Sequence, residues 1–421
     1  MEQTKNSMVE WIGDIPTDWE LSKIGAVYEE RNERVSDKDY PPLSVTKHGI
    51  LPQLESAAKT NDGDNRKLIR KNDFVINSRS DRRGSCGISE YDGSCSLINT
   101  VLKPKKNMCN AYYSFVFRSE RFADEFYRWG NGIVDDLWST KWSNMKRIYI
   151  PVPPLCKQYH IADYLDRKCS QIDAIIAKQR EVIEKLKEYK LSVITEAVTK
   201  GLNPDVPMKD SGVDWIGKIP QFTTITYARR LYEIILGKML SPTAKSGEDT
   251  LESYFCAANV HFSDIEYNNL KTMWFSQEER NNYLVKLGDL LVVEGGAGAG
   301  GAHIVEKSVG DCYIQNSIMI ARSKSSVSNK WLYYTLYSLV KRAYVDFICN
   351  KATIPHFTKD KLGNTPIVLF PKEIEETIIV FLDKKCSSID RQILQKEKVI
   401  KKLTEYKKSL IYEVVTGKKE V

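Results

Sequence analysis

One stretch of this chain, YLDRKCSQIDAIIAKQREVIEKLKEYKLSVITEAVT at residues 164–199, occurs twice. It returns as FLDKKCSSIDRQILQKEKVIKKLTEYKKSLIYEVVT at residues 381–416, and 20 of the 36 aligned positions are identical. A shorter motif, VEWIGDIP at residues 9–16, returns as VDWIGKIP at residues 213–220. The chain therefore contains two copies of one plan, which is typical of proteins that present two similar surfaces to a partner with two parts.

Both copies of the long stretch have the pattern of an amphipathic helix. Apolar residues recur at three- and four-residue spacing on a surface otherwise rich in Lys and Glu. Each helix should run about 30 residues, or about 45 Å, after a shorter apolar stretch at residues 161–165 or 378–382. We expect the two helices to pair, antiparallel. Ten side chains are predicted to form their interface: Ile172, Ile176, Ile183, Leu186, Val193, Ile389, Ile393, Ile400, Leu403 and Leu410.

The apolar stripe has polar interruptions and defined ends. Gln179 and Lys396 stand near the middle of the two stripes, where a polar residue lowers stability but fixes register and orientation. Gly201 follows the first helix closely, as is favoured at a helix C-terminus. Tyr189 and Tyr406 also fall on the stripe. The alternative, in which each helix packs only on its own domain, fits less well with a narrow stripe and a charged opposite face.

The repeat divides the chain into four parts, at residues 1–150, 151–201, 202–366 and 367–421. The first and third alternate short apolar runs with turn residues, and the second and fourth are helical in pattern. We therefore predict an α+β fold, in which two mixed α/β domains are separated by two long, antiparallel paired helices in a pseudo-two-fold internal repeat. The strand-like residues 68–76 align with 284–292, whereas the loops between such aligned segments diverge. Such divergence is expected of two domains that recognise different targets. It is equally expected of neutral drift after duplication.

Composition excludes several classes of protein. At 421 residues the chain is too long for a single core, and no apolar run reaches the length of a membrane span of about 18 residues. The polar first nine residues predict no secretion. The nine cysteines form no C-x-x-C pair, so we expect a reducing, cytoplasmic location and neither a zinc nor a redox site. The net charge of +7 weakly favours an anionic partner.

A glycine-rich segment, EGGAGAGG at residues 294–301, formally matches G-x-G-x-x-G. A nucleotide or S-adenosylmethionine site requires a helix to begin directly after such a loop. Here AHIVEK at residues 302–307 predicts a short strand, so a hairpin loop is favoured. The aligned loop of the first copy, SRSDRRGS at residues 78–85, is not glycine-rich.

Other catalytic signatures are missing from the sequence. It has no G-x-x-x-x-G-K-[ST] phosphate loop and no N-P-P-[YF] amino-methyltransferase motif. The five histidines are dispersed and lie in no metal-ligand spacing. We therefore predict no catalytic centre, no metal site and no bound cofactor in this chain.

Four motifs occur in a characteristic order along the chain. They are VEWIGDIPTDW at residues 9–19, IPVPP at 150–154, AVTKGL at 197–202 and DSGVDWIGKIP at 210–220. Together they resemble the DNA-specificity subunit of type I restriction–modification systems, over the whole chain. Two departures occur. Thr223 stands where the first copy has Trp19, and the residues after the prolines match only loosely the Glu-Gln that such subunits often have.

This resemblance implies a division of labour. Each mixed domain would be a target-recognition domain that reads one half of a split site in double-stranded DNA. The helices would act as a spacer and dock two methyltransferase subunits, which would use S-adenosylmethionine, and restriction subunits are a further possible partner. Half-sites one duplex turn apart lie roughly 34–36 Å from centre to centre, which a helix of about 45 Å spans.

Thirteen residues are candidates for DNA contact: Arg79, Arg82, Arg83, Ser85, Lys141, Trp142, Lys146, Arg147, Glu294, Lys351, His356, Thr358 and Lys359. The loop with three arginines is the strongest, because a guanidinium pairs with guanine O6 and N7 or with phosphate. The alternative there is a solvated basic loop. Trp142 could equally belong to the core, and Glu294 could accept from cytosine N4 or serve the structure. The sequence does not separate base contacts from phosphate contacts.

Two other functions remain open at this point. A self-contained DNA methyltransferase or nuclease would transfer methyl groups or cut DNA without a partner. A coiled-coil scaffold that does not bind DNA would lack the steep loss of affinity with rising salt that a DNA reader has.

Overall fold

The computed structural model of the protein describes residues 3–54, 63–79, 82–105, 107–132, 138–349 and 355–421. The chain forms two compact units with separate hydrophobic cores. Unit 1 comprises Met1–Arg180 with Lys396–Val421, and unit 2 comprises Glu181–Gln395. Of the helices in the described ranges, none combines the length and the apolarity that crossing a membrane requires.

Unit 1 is built on short strands bounded by turn residues. Its described strands are β1 (Thr4–Asn6), β2 (Asp14–Pro16), β3 (Glu20–Lys23), β4 (Tyr28–Glu30), β5 (Arg34–Val35), β6 (Leu43–Thr46), β7 (Gly49–Pro52), β8 (Arg66–Ile69), β9 (Phe74–Asn77), β10 (Cys86–Ile88), β11 (Gly93–Cys95), β12 (Asn99–Pro104) and β13 (Tyr149–Val152). The largest sheet has the antiparallel order β10-β9-β12-β4, and a second sheet has the order β11-β8-β5. The pairs β1-β2, β6-β7 and β13-β3 complete the unit.

The helices of unit 1 pack on the four-stranded sheet through aromatic side chains. They are α1 (Ile24–Val27), α2 (Asn110–Arg118), α3 (Glu120–Arg128) and α4 (Trp142–Met145). The Phe117 ring lies 4.9 Å from the Phe74 ring and 4.8 Å from the Phe122 ring, between ring centroids. Ser119 caps α3 by accepting a hydrogen bond from the Phe122 N–H. Large aromatic rings therefore supply much of this core.

A single long helix follows β13. This helix, α5 (Leu155–Lys200), has 46 residues and is about 69 Å long. The expectation of a helix of about 30 residues after a separate apolar stretch was wrong, since neither Gly nor Pro occurs between residues 155 and 200 to interrupt the hydrogen bonds. The helix ends at Gly201, whose φ of +79° is in the left-handed region that favours glycine.

Unit 2 repeats the plan of unit 1. Its strands are β14 (Met208–Asp210), β15 (Lys218–Pro220), β16 (Thr224–Tyr227), β17 (Tyr232–Leu236), β18 (Thr250–Phe255), β19 (Lys271–Phe275), β20 (Leu290–Val293), β21 (Ala302–Ile304), β22 (Cys312–Ile314), β23 (Ile318–Ser323) and β24 (Pro366–Leu369). The largest sheet, in the order β17-β23-β20-β21, has the same topology as β4-β12-β9-β10. A second sheet has the order β19-β18-β22. The pairs β14-β15 and β16-β24 complete the unit.

The helices of unit 2 surround a core centred on Trp331. They are α6 (Ala228–Leu231), α7 (Gln277–Tyr283), α8 (Asn329–Lys341), α9 (Tyr344–Ile348), α10 (Lys359–Gly363) and the 44-residue α11 (Lys372–Val415), with a 3-10 turn at Ala257–Asn259. Trp331 is buried, and its indole N–H donates to the Val368 carbonyl at 3.0 Å. The indole is therefore both packed and hydrogen-bonded, as a buried Trp requires.

In unit 1 the first part of α5 pairs with the last part of α11. The Lys407 ammonium lies 2.6 Å from the Asp173 carboxylate, and the Lys396 ammonium donates to the Gln179 side-chain carbonyl at 3.2 Å. Residue numbers rise along one helix while they fall along the other, so the helices are antiparallel, as predicted.

In unit 2 the second part of α5 pairs with the first part of α11. The Lys190 ammonium lies 2.7 Å from the Asp390 carboxylate. Lys190 and Asp390 are the repeat equivalents of Lys407 and Asp173, at the sequence offset of 217. Each unit therefore holds the same ion pair in the same helix register, with the contributions of the two helices exchanged.

The predicted interface positions face inward. Ile172, Ile176, Ile183, Ile389 and Leu410 are buried, and Leu186, Val193, Ile393, Ile400 and Leu403 are half-buried. Tyr189 and Tyr406, which share the same spacing, are instead exposed. The helices also pack on the domains, since Ile194 and Val198 belong to the core of unit 2. The predicted domain boundaries themselves stay predictions.

Candidate nucleic-acid interface

In unit 1 the arginine loop lies at one edge of the four-stranded sheet. Asn77, the last residue of β9, is the register partner of Asn99, the first residue of β12. The Ser78 N–H donates to the Ile98 carbonyl at 3.3 Å, which closes this edge. The chain then leaves the sheet and returns at Cys86, where β10 begins. The described residues of this loop, Arg79 and residues 82–85, therefore lie next to a hydrogen-bonded end of the sheet.

The three arginines of this loop make different contacts from one another. Arg79 is exposed, and its backbone N–H donates to the Asn77 side chain at 3.0 Å. Arg83 forms an ion pair with Asp124 on α3 and lies over the Tyr127 ring, 6.0 Å from its centroid. Arg82 is exposed as well, and its carbonyl accepts the Ser85 N–H at 3.0 Å. Arginine side chains on a tethered loop are well suited to phosphate or guanine.

Ser85 has a different position from the arginines. Its side chain is buried, and its backbone carbonyl accepts the Asn77 N–H at 2.9 Å. The serine therefore closes the base of the loop. Its contact with DNA stays a prediction.

A second cluster of candidate residues in unit 1 comprises Lys141, Trp142, Lys146 and Arg147. Its first member lies next to the arginine loop. The Thr140 N–H donates to the Ser78 carbonyl at 2.9 Å, which places the exposed Lys141 at the same edge. Trp142 packs against the core of unit 1, in agreement with the alternative that it is a core residue. Lys146 lies beyond α4, where its carbonyl accepts the Gly25 N–H at 3.0 Å.

Arg147, the last member of the cluster, stacks on an indole. Its guanidinium lies 5.7 Å from the centroid of the Trp129 ring. An arginine stacked on a ring still offers the N–H groups that lie in the plane of its guanidinium. Of this cluster, Lys141 is nearest the arginine loop, and Lys146 and Arg147 are farther along the chain.

The equivalent edge of unit 2 has a different chemistry. β20 ends at Val293, the register partner of Ile318 at the start of β23. The next residue, Glu294, donates its N–H to the Ser317 carbonyl at 2.8 Å. Its carboxylate lies 3.2 Å from Nδ1 of His356, and its carbonyl accepts the Phe357 N–H at 2.6 Å. Glu294 and His356 are therefore brought together at this edge, 62 residues apart in sequence.

The glycine segment forms a tight hairpin loop. Gly296 and Gly300 have φ values of +93° and +81°. A Cβ at Gly300 would lie 2.8 Å from the Val345 side chain, so only glycine fits that position. The strand β21 follows at Ala302. The prediction of a hairpin is confirmed, because β20 and β21 pair antiparallel on either side of the glycine segment.

The remaining candidates of unit 2 lie close to His356. Thr358 caps α10 by accepting the Lys361 N–H at 3.4 Å, and Lys359 is the exposed first residue of that helix. The Lys361 ammonium donates to the His356 carbonyl at 2.8 Å. Lys351 lies outside the described residues.

Two carboxylates that the sequence did not single out lie at the opposite ends of β9 and β20 from these loops. Asp73 and Asp289, at aligned positions of the two copies, are buried. Arg31 bonds Asp73 at 2.7 Å and Arg322 bonds Asp289 at 2.8 Å, and hydrogen bonding to the carboxylate raises the pKa of each guanidinium. The signal was available, since both copies retain Asp directly before an apolar strand.

The chemistry of the described residues does not indicate a reacting centre. No group of three or more His, Cys, Asp or Glu in the described ranges has the arrangement of a metal site. Burial raises the pKa of the Cys86 thiol to about 12, and the same holds for Cys95 and Cys312. Thiols with such values stay protonated near neutral pH and are poor nucleophiles.

A family model and several known proteins match this chain. The family model for the type I restriction modification DNA specificity domain matches residues 16–185 and 248–402, more than half of the chain. The chain is 23% identical over 439 residues to the MjaX type I restriction enzyme specificity subunit of Methanocaldococcus jannaschii, over 97% of this chain and 95% of that protein. It is also 23% identical over 232 residues to the EcoKI specificity subunit of Escherichia coli, over 53% of this chain and 47% of that protein.

Two solved structures share the fold. A chain from a study of complex assembly and conformational transition of the type I R-M system aligns with a TM-score of 0.71 and 15% identity, over 95% of this chain and 98% of that one. The HsdS subunit from Thermoanaerobacter tengcongensis aligns with a TM-score of 0.53 and 16% identity, over 96% and 98%. At such identities the likeness concerns the fold alone.

Proposed function

This chain belongs to the family of type I restriction–modification DNA-specificity domains, and from that premise we propose that each of its two units reads one half of a bipartite DNA site. The site lies in double-stranded DNA, and the chain itself carries out no chemistry on it. S-adenosylmethionine is used by partner methyltransferase subunits, not by this chain. Because the complex would bind the cell's own DNA, its proposed location is the cytoplasm.

The observation that carries this proposal is a shared edge with unlike loops. Both units have a four-stranded sheet of the same topology, and both place a long loop where the equivalent strands β9 and β20 end. In unit 1 that loop carries Arg79, Arg82 and Arg83. In unit 2 it carries Glu294 and glycines beside His356. Donors from arginine and an acceptor from glutamate suit different bases, guanine and cytosine respectively, so the two half-sites differ.

The long helices are proposed to set the spacing between half-sites. An uninterrupted helix is a stiff element of fixed rise per residue, and α5 has no break over 46 residues. The same Asp–Lys ion pair in each unit, Asp173–Lys407 and Asp390–Lys190, holds the helix register. A fixed register would fix the number of unread base pairs.

The helices are also proposed to dock two methyltransferase subunits. Tyr189 and Tyr406 are repeat equivalents, both exposed, and each has a lysine ammonium near its ring, at 5.2 Å and 6.0 Å. Two copies of one aromatic surface suit two copies of one partner. Restriction subunits are a further proposed partner of the assembled complex.

Base-modification mapping tests the proposal directly. Modified bases would be compared in cells that carry the gene together with its methyltransferase partner and in cells without this gene. We expect one bipartite motif with two unlike halves and a constant spacer. A continuous motif, or modification that persists without the gene, would contradict it.

Binding measurements provide the second test. The intact chain with its methyltransferase subunits would be titrated with duplexes in which one half-site at a time is scrambled. We expect each scrambled half to weaken binding, and affinity to fall steeply as salt rises. Equal binding to scrambled and intact duplexes would remove the function, and methyl transfer by the purified chain alone would replace it with an enzyme.

A further inference from the structure

Unit 2 has an exposed apolar dipeptide that neither the framework nor the proposed half-site contacts explain. Met239 and Leu240 follow β17, and their side chains are 75% and 59% exposed. Single exposed apolar residues are common on protein surfaces, but two adjacent ones on a fixed backbone are less so. The contacts on either side of the dipeptide indicate what holds it and what lies beside it.

The backbone is held on both sides of the dipeptide. Lys238 is buried, and its ammonium donates to the Trp274 carbonyl at 2.7 Å and pairs with the Glu279 carboxylate. Ser241 is buried, and its carbonyl accepts the Trp274 N–H at 3.0 Å. The two apolar side chains therefore stand on a segment whose ends are fixed, so little backbone entropy is lost when they bind something.

The dipeptide borders the same turn as Glu294. The Lys238 carbonyl accepts the Asn316 N–H at 2.8 Å, and the carbonyl of the next residue, Ser317, accepts the Glu294 N–H at 2.8 Å. A Cβ on Gly237 would meet the Gln315 carbonyl oxygen, so glycine permits this close approach. Met239 and Leu240 thus adjoin the sheet edge that carries Glu294 and His356.

Unit 1 does not have this feature at the aligned positions, which the structure describes. Tyr28-Glu29 at the start of β4 aligns with Tyr232-Glu233 at the start of β17, and the same offset aligns Val35 and Ser36 with the dipeptide. Those two residues are half-buried, and Val35 lies in β5. At the aligned positions the exposed apolar pair therefore occurs in unit 2 and not in unit 1, as is expected of a determinant of one half-site.

We propose that Met239 and Leu240 contact the 5-methyl groups of thymine in the half-site read by unit 2. The thymine methyl is the apolar group that base pairs present in the major groove, and apolar side chains are its recognised partners. The location beside Glu294 favours DNA over a protein partner, because the dipeptide is continuous with the edge proposed to read bases. This inference rests on the proposed function.

Uracil substitution tests the contact, because it removes the methyl group and leaves the base-pairing edge unchanged. The intact chain with its methyltransferase subunits would be titrated with duplexes in which each thymine of the mapped site is replaced singly by uracil. We expect about four-fold weaker binding per lost contact, the effect of one buried methyl-sized group. For wild type, this loss of affinity should occur with uracil in the half-site read by unit 2. It should vanish in the Met239→Ala/Leu240→Ala variant.

Leu287→Ala is the matched control. Leu287 is 66% exposed and precedes β20, at the opposite edge of the same sheet. This variant should discriminate thymine from uracil as wild type does. Wild type that binds thymine and uracil duplexes alike would overturn the proposal, as would a double variant that keeps the discrimination.

Three outcomes distinguish the thymine contact from a protein contact and from a failure of DNA recognition as a whole. A double variant that discriminates normally but no longer co-elutes with the methyltransferase subunits would assign the dipeptide to a protein contact and overturn the proposal. Wild-type chain that ignores scrambled half-sites would refute the proposed function itself. Half-site recognition that is intact but insensitive to uracil would refute the thymine contact alone.

Discussion

At the residue scale, the arginine loop and the buried carboxylates have separate tasks. Asp73 and Asp289 each satisfy a guanidinium inside the fold, and breaking such a pair leaves a buried charge without a partner. Arg79, by contrast, is exposed at the sheet edge. Residues that stabilise the sheet and residues proposed to bind DNA therefore differ in burial, and substitutions should separate them.

Arg79→Ala should weaken binding to the bipartite duplex by at least 5-fold, because one arginine contact to a base contributes about 1–3 kcal/mol. Arg70→Ala is the control, since Arg70 bonds Asp92 at 3.1 Å in the turn before β9, at the opposite edge of the sheet. Fluorescence titration at fixed salt measures both. Equal losses in the two variants would show that the edge has been assigned wrongly.

Glu375 predicts a pH dependence of stability. Burial raises the pKa of this carboxyl, and its oxygen accepts the Ser328 N–H at 2.8 Å. A raised folded-state pKa means that the contribution to stability is present below the unfolded pKa, near 4.3, and is lost as pH rises through the folded value. Glu375→Gln should therefore raise the urea midpoint at pH 7.

The gain from Glu375→Gln should disappear below about pH 4, where the unfolded carboxyl is also protonated. Glu376→Gln, at an exposed neighbour, should change stability little at either pH. A gain that is the same at pH 4 and pH 7 would exclude the carboxyl charge as its cause.

At the scale of elements, the polar pair in unit 1 is the distinctive contact of the long helices. Gln179 and Lys396 are repeat equivalents that meet each other, 3.2 Å apart, within an otherwise apolar stripe. Position 179 therefore needs an acceptor opposite the ammonium. Two lysines would repel at this point, whereas two glutamines could bond each other.

Gln179→Lys should lower the free energy of unfolding by about 1 kcal/mol, the repulsion of two unit charges about 4 Å apart in water. Lys396→Gln should have a smaller effect, and the exchange Gln179→Lys/Lys396→Gln should restore stability because it only swaps the partners. Urea unfolding of the four proteins forms a double-mutant cycle. Additive effects in that cycle would mean that the pair does not interact.

At the scale of the whole molecule, the core of unit 1 combines segments from both ends of the sequence. Unit 1 contains the first 180 residues and the last 26, and its core includes Leu410 and Val414 of α11. The Tyr112 hydroxyl donates to the Val415 carbonyl at 2.9 Å, across 303 residues of sequence. Folding of the first domain therefore depends on the end of the last helix.

Leu410→Ala should destabilise unit 1 by about 2–5 kcal/mol, the usual range for a buried leucine. Leu394→Ala, at an exposed leucine of the same helix, is the matched control and should have little effect. Hydrogen exchange of α2 and α3 measures the outcome in residues 110–128. Unchanged protection there would show that α11 does not complete this core.

The sequence by itself determined the two-copy plan, the pairing of two long helices and their direction. These features were predictable because helix periodicity is local and because a repeat of 36 residues is visible without any structure. The helix lengths were underestimated, since a short apolar stretch before each helix suggested a break that the backbone does not have.

Only the tertiary structure decided which side chains share a sheet edge. Glu294 meets His356, and the anchored Met239 lies beside the same turn, through hydrogen bonds between strands far apart in sequence. No local pattern encodes such a meeting, because strand register depends on the packing of both sheet faces and on loop closure. The repeat fixed the framework of this protein, and the closure of its unlike loops decided the two surfaces that are proposed to bind DNA.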